Sequence, residues 1–196
     1  NKSFLIDHFD SKYNAFFKCN PENIDVQIGG ENSNLSNSHG TDSANYEPYY
    51  SMESDYGWED LYNLIDTLNN FPDSVEQVLN VDRTLWMHAI NYSLINFDSY
   101  IGYAQNYYLY KDRTKQFNPI LWDFNMSFGG FSLTDASQLY FNGFDIIQAQ
   151  EMDPLIHHNF ISVSPRPLMR NLFLSDRYRK MYLAHIRTIM QENFVN

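Results

Sequence analysis

Basic side chains are scarce in this sequence: 13 Lys and Arg stand against 24 Asp and Glu, for a formal net charge of −11. Nucleic-acid binding draws on clustered cations that neutralise phosphates, so nucleic acid is excluded as the main partner. Cysteine is nearly absent. With Cys19 alone, no internal disulfide and no zinc site built on paired cysteines is possible, and the expected role of Cys19 is that of a small buried hydrophobe. No run approaches the ~18 apolar residues of a membrane-spanning helix, so no transmembrane segment is expected. No charged-then-apolar leader opens the chain, and its first residue is Asn rather than Met, which reads as a trimmed start with any export signal removed.

What is present suits one folded domain over residues 1–196. Hydrophobic residues make up 43% and charged residues 19%, far from the composition of a chain that stays disordered. Aromatics reach 17%, with 15 Tyr and 15 Phe, so core and grooves are expected to be lined by flat rings, many with a polar edge.

Along the chain, Ser3 is placed to cap a short helix through Phe9, and strand-like runs come next at Ala15–Cys19 and Ile24–Ile28. From Gly29 to Asn45 the residues are almost all Gly, Ser, Asn, Thr, Asp and Glu. That composition predicts a mobile, exposed insertion with no buried cluster. Trp58, Leu61, Tyr62, Ile65 and Leu68 form a helical stripe that stops near Phe71-Pro72. Ser74 is expected to cap a shorter helix carrying Val75, Val78 and Leu79, and Asp82 a third carrying Leu85, Trp86, Ala89, Ile90 and Leu94. Ser175-Asp176 opens a last helix. Trp58, Trp86 and Trp122 are expected in the core.

The segment 96–130 carries the chemistry. Asn96-Phe97-Asp98-Ser99-Tyr100 favours a turn, so Asp98 is expected in a loop. Asn106–Tyr110 and Phe117–Trp122 read as the strands of a hairpin turning at Thr114–Lys115, with Tyr108 opposite Leu121 and Asn106 opposite Asp123. The loop with Asp98 enters at that same open end. Magnesium binds oxygen ligands, commonly one or two carboxylates plus phosphate oxygens, so Asp123 and Asn106 are candidate metal ligands beside a nucleotide. Asp98 would then take the proton of an acceptor hydroxyl. Base, metal-binding Asn, hairpin and metal-binding Asp come in the order of a protein-kinase catalytic core.

Asn96-Phe97-Asp98-Ser99-Tyr100, Asn106-Tyr107-Tyr108-Leu109-Tyr110 and Trp122-Asp123-Phe124-Asn125 with Phe128-Gly129-Gly130 after it together resemble the family of CotH spore-coat kinases. The resemblance extends patchily over nearly the whole chain, with Phe16-Phe17-Lys18-Cys19 similar to the family's nucleotide-side lobe and 168–193 similar to its closing helices. It implies an α+β, atypical protein-kinase-like two-lobed fold, with a reduced N-terminal sheet lobe over 1–56 and a mainly helical C-terminal lobe over 57–196. It implies ATP with Mg²⁺ or Mn²⁺ as cofactors, Lys18 against the α/β-phosphates, and Asn125 beside the metal ligands Asp123 and Asn106. The substrate it implies is a protein, such as a Ser-rich coat or surface protein, and the location is outside the cytoplasm, at the spore coat or cell surface. Oligomeric state is not indicated.

Asn125 replaces the second acid of the family segment, and Gly29-Gly30 is the nearest approach to a glycine-rich phosphate cover. These departures leave open a catalytically silent kinase-like module that binds protein or glycan. His157-His158 are read as ordinary histidines, since neighbours in an extended segment point apart, and Arg166 and Arg170 as partners of acids such as Asp176.

Overall fold

The computed structural model describes residues 2–23, 32–130, 146–155 and 166–194. Ile24–Ile28, Gly29-Gly30 and His157-His158 lie outside the described residues.

Helices α1 (Lys2–Phe9) and α2 (Trp58–Asn70) form where the apolar spacing puts them, although α1 already includes Ser3, which was expected to cap it; α2 buries Leu61, Leu64, Ile65 and Leu68. Its N-cap is Gly57, at φ +148°. A Cβ there would lie 2.7 Å from the Ala15 Cβ, so both conformation and space call for glycine. Pro72 ends the helix because the residue before a proline is steered away from helical geometry. The chain then winds into a 3₁₀ segment, Pro72–Gln77, capped at Phe71, where a helix capped by Ser74 was expected. Helix α3 (Val81–Ser93) starts at Asn80, whose side chain accepts from the Arg83 N–H at 3.0 Å. Asp82 is therefore not the cap; it lies in the first turn, where a negative charge still suits the helix dipole. The short helices α4 (Tyr100–Tyr103), α5 (Ile146–Glu151) and α6 (Pro167–Arg170) precede α7 (Asp176–Asn193), which packs along α3.

Four strands, β1 (Phe16–Cys19), β2 (Tyr50–Met52), β3 (Tyr107–Lys111) and β4 (Phe117–Leu121), make one antiparallel sheet in the order β2-β1-β3-β4. The fold is thus α+β. Phe17, Cys19, Tyr107, Leu109 and Phe117 alternate onto the face that joins the helical core with Leu61, Leu85 and Tyr182. The other face carries Phe16 stacked on Tyr108, with α1 covering Tyr110 through Phe9. One sheet therefore joins residues on either side of the expected 56/57 boundary.

Two further expectations, the hairpin register and the 29–45 insertion, need correction. The hairpin forms, but Tyr107 rather than Tyr108 stands opposite Leu121, and the ladder ends at that pair. The turn is odd-numbered and centred on Thr114. Lys115 N–H donates to the Asp112 carbonyl, Lys115 takes φ +71°, and Asp112 N–H closes onto the Gln116 carbonyl, which is the three-residue form of hairpin loop. Asn106 and Asp123 consequently lie beyond the ladder rather than paired within it.

The second correction concerns 29–45. Residues 37–45 are mostly exposed, as expected, but Asn32, Ser33, Asn34, Leu35 and Ser36 are buried. Polar backbone can be buried here because its groups are partnered. Tyr100 Oη donates to the Asn34 carbonyl (2.9 Å), Tyr107 Oη to that of Ser33, and Leu35 N–H donates to Tyr50 Oη (2.8 Å). Ser33 N–H reaches the Ala104 carbonyl at 2.9 Å, and Asn69 Nδ2 reaches that of Leu35 at 2.8 Å.

Candidate functional site

Helix α3 ends against a run of tight turns. Ile95 adopts φ +49°, and Asn96 is fully buried, its Nδ2 donating to Asn91 Oδ1 (3.1 Å) and to the Asp123 carbonyl (3.4 Å). Ser99 Oγ donates to the Asn96 carbonyl at 2.7 Å while its own side chain caps α4. Asp98 is held between them. After α4 the chain doubles back through two left-handed residues, Ala104 at φ +52° and Asn106 at φ +59°. That reversal lays Gln105 and Asn106 over Asp98. Gln105 Nε2 donates to Asp98 Oδ1, and Asn106 Nδ2 donates to the Asp98 carbonyl at 2.8 Å.

Asp123 arrives from β4, also in a left-handed conformation at φ +58°. Its Oδ1 accepts from the Asn125 N–H at 3.2 Å. Beyond it, Phe128 N–H donates to the Leu94 carbonyl (2.6 Å) and Gly129 N–H to that of Ile95 (3.2 Å), so the segment after Asp123 is fastened to the end of α3. Asp98 and Asp123 are near enough to interact. Burial is the main cause that raises the Asp98 carboxyl above its ordinary range; the Gln105 hydrogen bond opposes the rise, the Asp123 charge adds to it, and Asn106 opposes it.

Lys18 sits on β1, opposite Tyr108, with its Nζ 4.3 Å above the Trp122 ring, the residue that precedes Asp123. Trp122 is 38% exposed, a correction to its expected place in the core; its edge-on contact with Tyr108 at 5.7 Å lies on the sheet's outer face. Trp58 and Trp86 do pack against the core. Asn125 is exposed, its N–H completing a turn on Asp123. Arg166 is buried, donating to the carbonyls of Tyr100 and Gly102 beneath the site loop, and Asp176 pairs with Arg179. Arg170 is exposed.

The arrangement bonds Asn106 to Asp98 and sets Asp123, flanked in sequence by Trp122 and followed by Asn125, within electrostatic reach of Asp98. Sequence reading passed over Gln105 and the tethering role of Asn96. For Gln105 the available signal was a polar residue beside Asn106 inside the apolar stretch 100–110. Among the described residues no three His, Cys, Asp or Glu side chains cluster as a metal site. A divalent ion here would use Asp123 and an amide oxygen, with phosphate oxygens completing its shell. Asn106 suits that part: its Nδ2 is committed to the Asp98 carbonyl, so Oδ1 is the atom of the amide that could meet a cation. A search of curated proteins finds no match. The model of the family described as CotH kinase protein matches residues 1–196, and the chain belongs to that family.

Proposed function

We propose that this chain is an atypical protein kinase that uses ATP with Mg²⁺ or Mn²⁺ to phosphorylate protein hydroxyl groups. The carrying observation is the bond from Asn106 Nδ2 to the Asp98 carbonyl, which joins the candidate base to the candidate metal-binding amide while Asp123 stands close enough to act on Asp98. Asp98 receives the proton of the acceptor hydroxyl as its oxygen bonds to the γ-phosphorus and the bond to ADP breaks. Asp123 and Asn106 would hold the cation, with Asn125 beside them, and Lys18, now over the Trp122 ring, would meet the α/β-phosphates. When bound, the ion neutralises charge on the phosphates. The reading takes residues 1–56 as the nucleotide side and 57–196 as the catalytic side of a two-lobed, kinase-like arrangement.

The family's link to the spore coat supports a Ser-rich coat or surface protein as acceptor and a location outside the cytoplasm. No helix among the described residues is long and apolar enough to cross a membrane.

A second reading, a silent module that binds protein or glycan, is favoured by the exposed rings of Trp122, Phe124 and Phe128 around Asp123. Calorimetric ATP/Mg²⁺ titration and radiolabelled phosphate incorporation separate the two. Asp123→Asn should weaken metal-dependent ATP binding and turnover together. Asp98→Asn should still bind ATP while transfer falls by about 10²–10⁴-fold. A wild-type protein that neither binds nor transfers sinks the kinase reading, and normal transfer by Asp98→Asn removes Asp98 as the base.

A further inference from the structure

We propose that Gln105 is the positioning residue of the site: its amide fixes the Asp98 carboxylate so that Oδ2 meets the acceptor hydroxyl. This rests on the kinase reading above. Gln105 is 4% exposed and donates through Nε2 to Asp98 Oδ1. An ionised carboxylate only accepts, so the amide orientation is dictated by Asp98.

The backbone is arranged to deliver this contact. Gln105 lies between two left-handed non-glycine residues, Asn106, whose side chain tolerates that region, and Ala104, which adopts it only when its surroundings enforce it. The enforcing contacts are on both sides: the Ala104 carbonyl accepts from Ser33 N–H at 2.9 Å, and Asn106 Nδ2 holds the Asp98 carbonyl at 2.8 Å. Asp98 is thereby gripped at its main chain by one amide and at its side chain by the next.

Folding alone gives no reason for glutamine here. Gln105 Oε1 is buried with no hydrogen-bond partner, and an apolar side chain of the same length would avoid that penalty. The unsatisfied oxygen is the cost of presenting Nε2 to Asp98. Sites that break a packing rule in this way are where function is expected.

Gln105→Met tests the assignment because it preserves length and removes the donor. Its melting temperature should equal or exceed that of the wild type, its KM for Mg–ATP should stay within about twofold, and kcat should fall about 10- to 100-fold. In an Asp98→Asn background the same change should cost nothing further, since Gln105 acts through Asp98. Where Gln105→Met melts below the assay temperature, Gln105→Glu, of the same shape, is read in its place. A wild-type kcat, a loss confined to KM, or an equal loss with and without Asp98 overturns the proposal. Side-chain NMR couplings of Asp98 give a readout that needs no turnover. One rotamer in the wild type and averaging in Gln105→Met support positioning; the same couplings in both overturn it. Absence of transfer by the wild type counts against the kinase reading and leaves this NMR comparison to decide the role of Gln105.

Discussion

His88, on α3, is fully buried with Nε2 3.2 Å from the Leu168 carbonyl. A carbonyl only accepts, so Nε2 carries the proton and Nδ1 is left bare in the interior. Burial lowers its pKa from 6.5 to about 4, the Leu168 bond opposing the shift. The unfolded chain therefore binds a proton that the folded chain refuses between those two values. Stability from this residue is complete above pH 6.5 and drains away as pH falls toward 4, by roughly 3 kcal/mol at most. His88→Gln keeps a donor for Leu168 and has nothing to titrate. Thermal melts of the two proteins across this range should show the wild type losing ground to the variant with falling pH; parallel curves would contradict the assignment.

Leu35 shows what the element scale adds. It lies at φ +61°, fully buried, in the middle of the 32–36 segment clasped by the hydroxyls of Tyr50, Tyr100 and Tyr107. Leu35→Ala should destabilise the protein by about 2–4 kcal/mol in urea titration, as for a core leucine, whereas a leucine in a solvated insertion would cost within about 0.5 kcal/mol. The polar composition around it misled sequence reading because the tyrosines that partner those peptide groups lie elsewhere in the chain. The same limit governed other elements. Apolar spacing made α2, α3 and the hairpin legible, since burial of one face is written locally. The hairpin register slipped by one because Asp112 and Lys115 choose the turn through backbone geometry rather than through hydrophobic pattern. Asp98, Asn106 and Asp123 were readable as residue types in order, but how they are placed depends on left-handed conformations at Ala104, Asn106 and Asp123; Asn and Asp tolerate that region without requiring it, and Ala104 gives no sign of it. Gln105 went unseen for that reason.

At the scale of the whole molecule, and under the proposed function, the net charge of −11 would set how an anionic nucleotide arrives. Like charge slows encounter at low salt, and raising ionic strength shortens the screening length from about 30 Å at 0.01 M to about 8 Å at 0.15 M. Under the proposed function, stopped-flow association of a fluorescent Mg–ATP analogue should quicken over that interval. A rate that falls with salt would point instead to a local basic funnel that outweighs the global field.

The continuous ladder from β1 through β3 to β4 has a mechanical meaning. Kinases that close by swinging one lobe over another vary the gap between their lysine and their acids. Here Lys18 rides on β1, and Asp123 extends from β4 two ladder steps away, about 10 Å at ordinary strand spacing. Prising them apart would break the β1–β3 bonds that run from Phe16–Tyr110 to Cys19–Tyr107. Under the proposed function the sheet would act as a fixed caliper, admitting a polyphosphate of matching length without opening and measuring its cargo with a rigid scale rather than a closing jaw.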